Sequence, residues 1–133
     1  MSSIAPNPEE ILKVVKSHQG PVVMINLLKF KAKAGGEEGT GADAYGRYAE
    51  AVSPMLAARG ARIVWTGKPL AMVIGDAAKD WDAVVLVEYP SIQALIEMSS
   101  SAEYQKIHVH REAGLERTEL IACAPLPAQA LLK

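Results

Sequence analysis

Apolar side chains fill residues 22–31 almost without interruption, and this run gives the strongest structural signal in the chain. Successive side chains of a β-strand point to opposite faces of a sheet. The run therefore predicts a strand with two apolar faces, Val23, Ile25 and Leu27 on one and Val22, Met24, Leu28 and Phe30 on the other. Because helices on one side of a sheet cover only one face, we expect a second copy of the chain to cover the other.

Capping residues and glycines mark the other elements. Asn7 followed by Pro8 predicts a helix over residues 8–17. A second helix is predicted over residues 43–59, after a glycine-rich stretch, 32–41, that we expect to be too flexible to pack. Further helices are expected after Ser91 and at Ser100 or Ser101. Apolar or alternating runs predict strands at residues 62–66, 69–74, 83–89 and 115–123.

These elements follow the order β-α-β-β-α-β behind an extra N-terminal helix. The order predicts an α+β fold of the ferredoxin-like type with an antiparallel sheet. The 133 residues suffice for one domain of ordinary size and leave no room for a second. We expect a helical extension over residues 1–20, a ferredoxin-like core over 22–123 and a tail over 124–133.

The charge balance excludes several classes of partner. Fourteen basic and fifteen acidic residues nearly cancel, so no strong field favours nucleic acid or an anionic membrane. No run approaches the ~18 apolar residues of a membrane span, and the first residues lack a secretory leader pattern, so a cytoplasmic location is expected. Cys123 is the one cysteine, which excludes an intrachain disulfide and a multi-cysteine zinc site. No metal or cofactor is predicted.

Candidate chemistry concentrates in the predicted helix that follows Ser101. Tyr104, His108 and Arg111 share one helical face, which could place a base and a cation together at the rim of a pocket. His108 and His110 point in directions ~200° apart on a helix and cannot bind one metal ion together. The alternative is a helix that packs on the sheet with Arg111 paired to a carboxylate.

Polar residues within the apolar strands are further candidates. Asn26 interrupts an apolar face and needs a hydrogen-bond partner, which could be a neighbouring backbone group or a bound ligand. Glu88 shares a strand face with Val84 and Leu86, where an apolar setting could raise its pKa and make it a base; the alternative is a solvated or arginine-paired carboxylate. We expect three aromatic residues to lie mainly in the core, each with one polar atom that could line a pocket: Tyr45, Tyr48 and Trp65.

A series of short motifs resembles the domain-of-unknown-function 1330 family, within the dimeric α/β-barrel superfamily. The motifs are Asn26-Leu27-Leu28-Lys29-Phe30, Tyr45 and Tyr48, Trp65 with Gly67, Trp81-Asp82, Tyr89-Pro90-Ser91, Tyr104, and His110-Arg111 before Leu115. The resemblance covers about residues 22–122. It implies a homodimer of two βαββαβ protomers whose sheets face each other as a barrel. The superfamily includes cofactor-free monooxygenases, lactone isomerases, aldoxime dehydratases and haem enzymes, so the resemblance implies no single reaction.

Two functions from different classes remain open. The first is an enzyme that acts on a compact, partly apolar organic molecule by proton transfer or cofactor-free oxygen chemistry. In it, His110, which matches the family motif, serves as acid or base, Arg111 binds a carboxylate or enolate oxygen, and Asn26 and Glu88 contribute further polar groups. It predicts an apolar cavity where these groups converge. The second is a non-catalytic small-ligand-binding or interaction protein, which predicts no sizeable cavity or one without an acid–base pair.

Overall fold

The computed structural model describes residues 5–132. Its elements are α1 (Pro8–Ser17), β1 (Val22–Phe30), α2 (Gly41–Ala58), β2 (Arg62–Gly67), β3 (Ala83–Tyr89), α3 (Ile92–Ser100), α4 (Ala102–Gly114), β4 (Leu115–Cys123) and α5 (Ala128–Leu131). None of the helices in this part of the chain is long and apolar enough to cross a lipid bilayer.

The helices begin where their capping residues stand. The Asn7 side chain accepts a hydrogen bond from the Glu9 amide, and α1 has the predicted bounds. Thr40 and Asp43 form a reciprocal capping box at the start of α2. Ser91 and Ser101 cap α3 and α4 through their side-chain oxygens.

The four strands form one antiparallel sheet in the order β2-β3-β1-β4. The central strand β1 pairs with β3 on one side and β4 on the other, so the two halves of the chain interlock through it. This order and the helices between the strands confirm the predicted α+β, ferredoxin-like fold.

The helices cover only one face of the sheet, which we call the inner face. Leu28 is fully buried there, and Val22 and Met24 belong to a core with Tyr48 and Val52 of α2. The opposite face, which we call the outer face, follows from strand parity and register. It carries Val23, Ile25, Leu27, Trp65, Val84, Leu86 and Ile121.

Trp65 corrects one expectation. Its predicted place in the core is wrong, because the register sets Trp65 opposite Leu86 on the outer face, where it is 55% exposed. A register shift between Ile63 and Trp65 accompanies this placement. The ring lies instead over the backbone of Gly67.

The predicted strand at residues 69–74 is also wrong. The strand β2 ends at Gly67, opposite Val84 at the start of β3, so no neighbouring strand edge remains for the following residues. An apolar run without a partner cannot form a ladder. Residues 68–82 therefore form an irregular connection in which Leu70, Val73 and Ile74 are almost fully exposed.

The glycine-rich stretch 32–41 packs against the rest of the fold, contrary to expectation. Ala34 is buried against Ala44 of α2 and Ala113 of α4. The amides of Lys31 and Gly35 donate to the carbonyls of Gly114 and Ala113 at 2.8 and 3.0 Å. These bonds tie the start of the stretch, and Lys31 just before it, to the end of α4.

We predict that Gly114→Ala lowers the free energy of unfolding by about 1–3 kcal/mol, because overpacking of a closed contact costs this much. An added Cβ would lie 2.5 Å from the Gly41 carbonyl oxygen and 2.9 Å from the Tyr45 amide nitrogen. Urea unfolding followed by circular dichroism measures the change.

Gly46→Ala is the matched control, since Gly46 lies in α2 with no atom within 4 Å of its added Cβ. It should stabilise the protein by roughly 0.5–1 kcal/mol through helix propensity. Equal effects of the two substitutions would contradict a close contact at Gly114.

Candidate functional site

A cavity of about 1170 Å³ lies between the inner face of the sheet and the helices. Its lining is mainly apolar and includes Met24, Val52, Leu56, Val87, Leu95 and Met98. The helix α1 also lines it, through Ile11 and Val14 among others. The cavity is at least as large as typical pockets for small organic molecules.

The helix α4 lines the cavity through four residues, Gln105 and, on one helical face, three that carry the candidate chemistry. Tyr104, His108 and Arg111 recur at intervals of four and three, as the sequence pattern predicts. Arg111 is buried, with 7% of its surface exposed. The face therefore brings a permanent positive charge and a titratable imidazole to the same cavity wall.

The tyrosines of α2 complete this wall. The hydroxyls of Tyr48 and Tyr104 lie 2.8 Å apart and hydrogen-bond, with their rings edge to face. Tyr45 stacks beside Tyr48 at a ring separation of 5.3 Å. Burial raises the pKa of both Tyr45 and Tyr48, although the charge of Arg111 acts in the opposite direction. Both phenols therefore remain neutral and can act as hydrogen-bonding groups.

His108 is held from two sides. Its ring contacts the Tyr104 ring in a tilted arrangement, with 5.7 Å between centroids. Its Nδ1 lies 3.4 Å from the Glu112 carboxylate, one turn further along α4. With Nδ1 turned to Glu112, Nε2 is the nitrogen that remains for proton exchange with a ligand.

Asn26 lies on the inner face and lines the cavity beside these residues. Its Nδ2 donates to the carbonyl oxygens of Val85 and Met24 at 3.1 and 3.3 Å. The backbone is thus the partner of the amide nitrogen.

His110 lies outside the cavity lining, on another side of α4. Its Nδ1 lies 2.7 Å from the Glu37 carboxylate, which also forms an ion pair with Arg47 at 2.9 Å. The structure thus joins His110 to the glycine-rich stretch and does not bring it together with Asn26 and His108.

Glu88 lies on the outer face, opposite Val23 of β1. Its carboxylate pairs with Arg62 at 3.0 Å, as the arginine-paired alternative describes. Trp65 lies on the same face. The cavity therefore gathers six of the nine candidates, Asn26, Tyr45, Tyr48, Tyr104, His108 and Arg111, and omits Glu88, His110 and Trp65.

The relationship to known proteins follows from sequence and fold together. Residues 38–124 match the family model described as Domain of unknown function (DUF1330). The chain belongs to this family. This confirms the family predicted from the motifs in residues 22–122.

Solved structures agree with this membership. The DUF1330 chain is similar to RPA0582, a protein of unknown function from Rhodopseudomonas palustris, with 33% identity over 96% of this chain and 99% of that one and a TM-score of 0.88. It shares the fold of a dabb family protein from Mesorhizobium loti, with 16% identity, 82% and 100% coverage and a TM-score of 0.55. A dimeric protein of ferredoxin-like fold from Bacteroides fragilis shows 14% identity, 79% and 96% coverage and a TM-score of 0.53. No curated protein matches significantly.

Sequence reasoning missed three parts of the cavity in this DUF1330 chain. Tyr89 and Thr118 line it from the inner faces of β3 and β4, and α1 forms a wall although we expected only an extension. Alternation along β3 places Tyr89 on the same face as Val87 and Val85. Only the pairing of β3 with β1 shows that this face is the one that carries Asn26. Nothing in the local pattern of α1 indicates what it covers.

No metal site emerges within residues 5–132. Histidine, cysteine, aspartate and glutamate side chains nowhere form a group of three that could hold an ion there. The cavity lining does include other charged and polar residues, among them Glu10, Lys13, Gln105 and Glu119.

We predict that Glu37 stabilises this DUF1330 fold at neutral pH more than at acidic pH. Burial raises the pKa of Glu37, but hydrogen bonds from His110 and Arg47 outweigh it and lower the pKa below the ordinary value of 4.5. A lowered carboxyl pKa contributes stability above about pH 4.5, and this contribution disappears as the pH falls through the folded-state pKa.

The stability difference between wild type and Glu37→Gln should therefore be larger at pH 6 than at pH 3, as measured by urea unfolding at both values. The neighbouring Glu38→Gln is the control and should show a smaller pH dependence. A constant difference for Glu37→Gln would refute the proposed role of its charge.

Proposed function

We propose that this protein is an enzyme that binds a partly apolar organic molecule carrying an ionised oxygen and acts on it by proton transfer. The observation that carries the proposal is the juxtaposition of Arg111 and His108 on one wall of a mainly apolar cavity. Arg111 supplies a fixed charge and His108 a titratable group, and the apolar lining holds the body of the ligand.

The chemistry suited to this pair is removal of a proton from carbon next to a carbonyl group. His108 takes the proton at Nε2, the electron pair of the C–H bond forms a carbon–carbon double bond, and the π pair of the carbonyl group moves onto its oxygen. Arg111 stabilises the resulting enolate. Return of the proton from His108 to carbon completes an isomerisation or exchange. Cofactor-free oxygen chemistry would begin with the same deprotonation.

One observation favours the alternative, a non-catalytic binding protein. Tyr48 and Tyr104 hydrogen-bond to each other, and the Asn26 amide nitrogen bonds to backbone carbonyls. Polar groups that satisfy one another in this way can be structural rather than catalytic. Both functions use the same cavity, so ligand binding and proton transfer have to be tested separately.

We also propose that the protein acts as a homodimer joined through the outer face. Trp65 and Ile121 are 55% and 46% exposed there, beside the apolar side chains of β1 and β3. Exposed apolar surface of this kind marks an interaction site. The Bacteroides fragilis protein of the same fold is described as dimeric.

We predict that Arg111 selects ligands with an anionic group. The probe 8-anilinonaphthalene-1-sulfonate has an apolar body and a charged oxygen group, and N-phenyl-1-naphthylamine has the same skeleton without the charge. Arg111→Gln should weaken binding of the sulfonate about ten-fold or more, because hydrogen bonds to charged groups contribute roughly 1.5–3 kcal/mol. Binding of the neutral probe should change little. Fluorescence titration measures both affinities.

Arg59→Gln is the control, since Arg59 pairs with Glu97 on the surface and does not line the cavity. Circular dichroism establishes that each variant is folded. An Arg111→Gln variant that loses both probes equally, or neither, would refute selection by charge.

We predict that His108 exchanges protons with carbon acids. Phenylpyruvate, a carboxylate with an apolar ring and an exchangeable methylene group, and acetylacetone are suitable probes in D2O, with deuterium uptake measured by NMR. His108→Gln should reduce the enzyme-dependent rate about 100-fold or more, as expected for loss of a general base.

His110→Gln provides the comparison on the same helix. Exchange should persist in this variant, because His110 does not line the cavity. Loss of exchange only in His110→Gln would assign the base to the family motif instead. Binding of the charged fluorescent probe without exchange of either carbon acid would favour the non-catalytic alternative.

A further inference from the structure

The connection between β2 and β3 carries an exposed apolar segment, residues 70–74, which we call the apolar arm. Leu70, Val73 and Ile74 are 92%, 89% and 92% exposed. Within residues 5–132, the hydrogen bonds of residues 68–79 join this stretch only to itself, at Asp76. Three large aliphatic side chains so close together and so exposed point to an uncovered contact surface.

The base of this connection is firmly attached to the fold. Asp80 lies 2.8 Å from the Lys29 ammonium and 3.0 Å from the Arg117 guanidinium. Asp82 accepts a hydrogen bond from the Phe30 amide at 2.8 Å. The Arg117 guanidinium also lies over the Trp81 ring, 4.5 Å from its centroid.

These attachments show on which side of the sheet the connection is fastened. Lys29 and Arg117 stand opposite each other in the pairing of β1 with β4. Lys29 also has the same strand parity as Val23, Ile25 and Leu27, so both basic residues belong to the outer face. The end of the connection that leads from the apolar arm into β3 is thus fastened on the side of the sheet that the helices leave uncovered.

We propose that the apolar arm packs against a second copy of this chain, as part of the dimer proposed above on which this inference rests. A two-fold dimer presents the same surfaces from both copies, so a contact made by one arm is repeated by the other. The local charges argue against a membrane as the partner. Residues 68–82 carry only two lysines against three aspartates, whereas membrane-binding segments carry clusters of basic residues.

The test compares three variants by sedimentation equilibrium across roughly 0.1–100 µM, a range that covers micromolar dissociation constants. The arm variant is Leu70→Ser with Val73→Ser and Ile74→Ser. The outer-face variant is Trp65→Lys. The control removes three exposed leucines from the tail: Leu126→Ser, Leu131→Ser and Leu132→Ser.

We expect the wild type and the tail control to dimerise alike, and the arm variant to dimerise at least about ten-fold more weakly. Hydrogen exchange at residues 70–75 of the wild type should slow as the concentration rises through the dissociation constant. All substituted residues are exposed, so the variants should stay folded, which circular dichroism checks.

The arm proposal and the dimer proposal are overturned by different results. If Trp65→Lys weakens the dimer and the arm variant does not, the arm proposal fails and the outer-face dimer stands. A wild type that stays monomeric up to about 100 µM overturns both proposals. If the arm variant instead loses binding to phosphatidylserine vesicles with unchanged self-association, the arm is a membrane contact and the proposal is wrong.

Discussion

One-sided coverage of the sheet is the constraint on which the rest of this structure depends. The central strand β1 is apolar on both faces, yet the helices pack only against the inner one, where Leu28 is fully buried. The inner face therefore forms the floor of a cavity, and the outer face retains exposed apolar surface at Trp65 and Ile121. Alternation along the strands assigns each of their polar side chains either to the cavity side or to the outer face. It places Asn26 at the cavity and Glu88 on the outer face.

The helical period of α4 likewise divides its side chains between the cavity and another side of the helix. Residues three and four apart share a face, so Tyr104, His108 and Arg111 line the cavity together. His110 turns away from them and binds Glu37 in the glycine-rich stretch. The close backbone contact of Gly114 with Gly41 holds the end of α4 against α2, so this division rests on a rigid element.

The cavity combines a fixed charge with an apolar lining. Burial keeps the phenols of Tyr45 and Tyr48 neutral, and the guanidinium of Arg111 remains charged in the same surroundings. Charge–charge interactions are stronger where water is excluded. The proposed ligand, with one ionised oxygen and an apolar body, would place that oxygen at Arg111, on the wall that also carries His108.

The sequence by itself determined the elements, because their signals are local. The predicted bounds of α1, β3 and β4 agree with the structure, and the βαββαβ order was enough to predict a ferredoxin-like fold with an antiparallel sheet. Helical period alone grouped His108 with Arg111. Three features came only from the tertiary structure. Residues 69–74 have no strand to pair with, and the glycine-rich stretch contacts the end of α4. The helix α1 lines the cavity. The tertiary structure also decided that Glu88 and Asn26 lie on opposite faces, because register joins residues about sixty positions apart and no local pattern encodes that pairing.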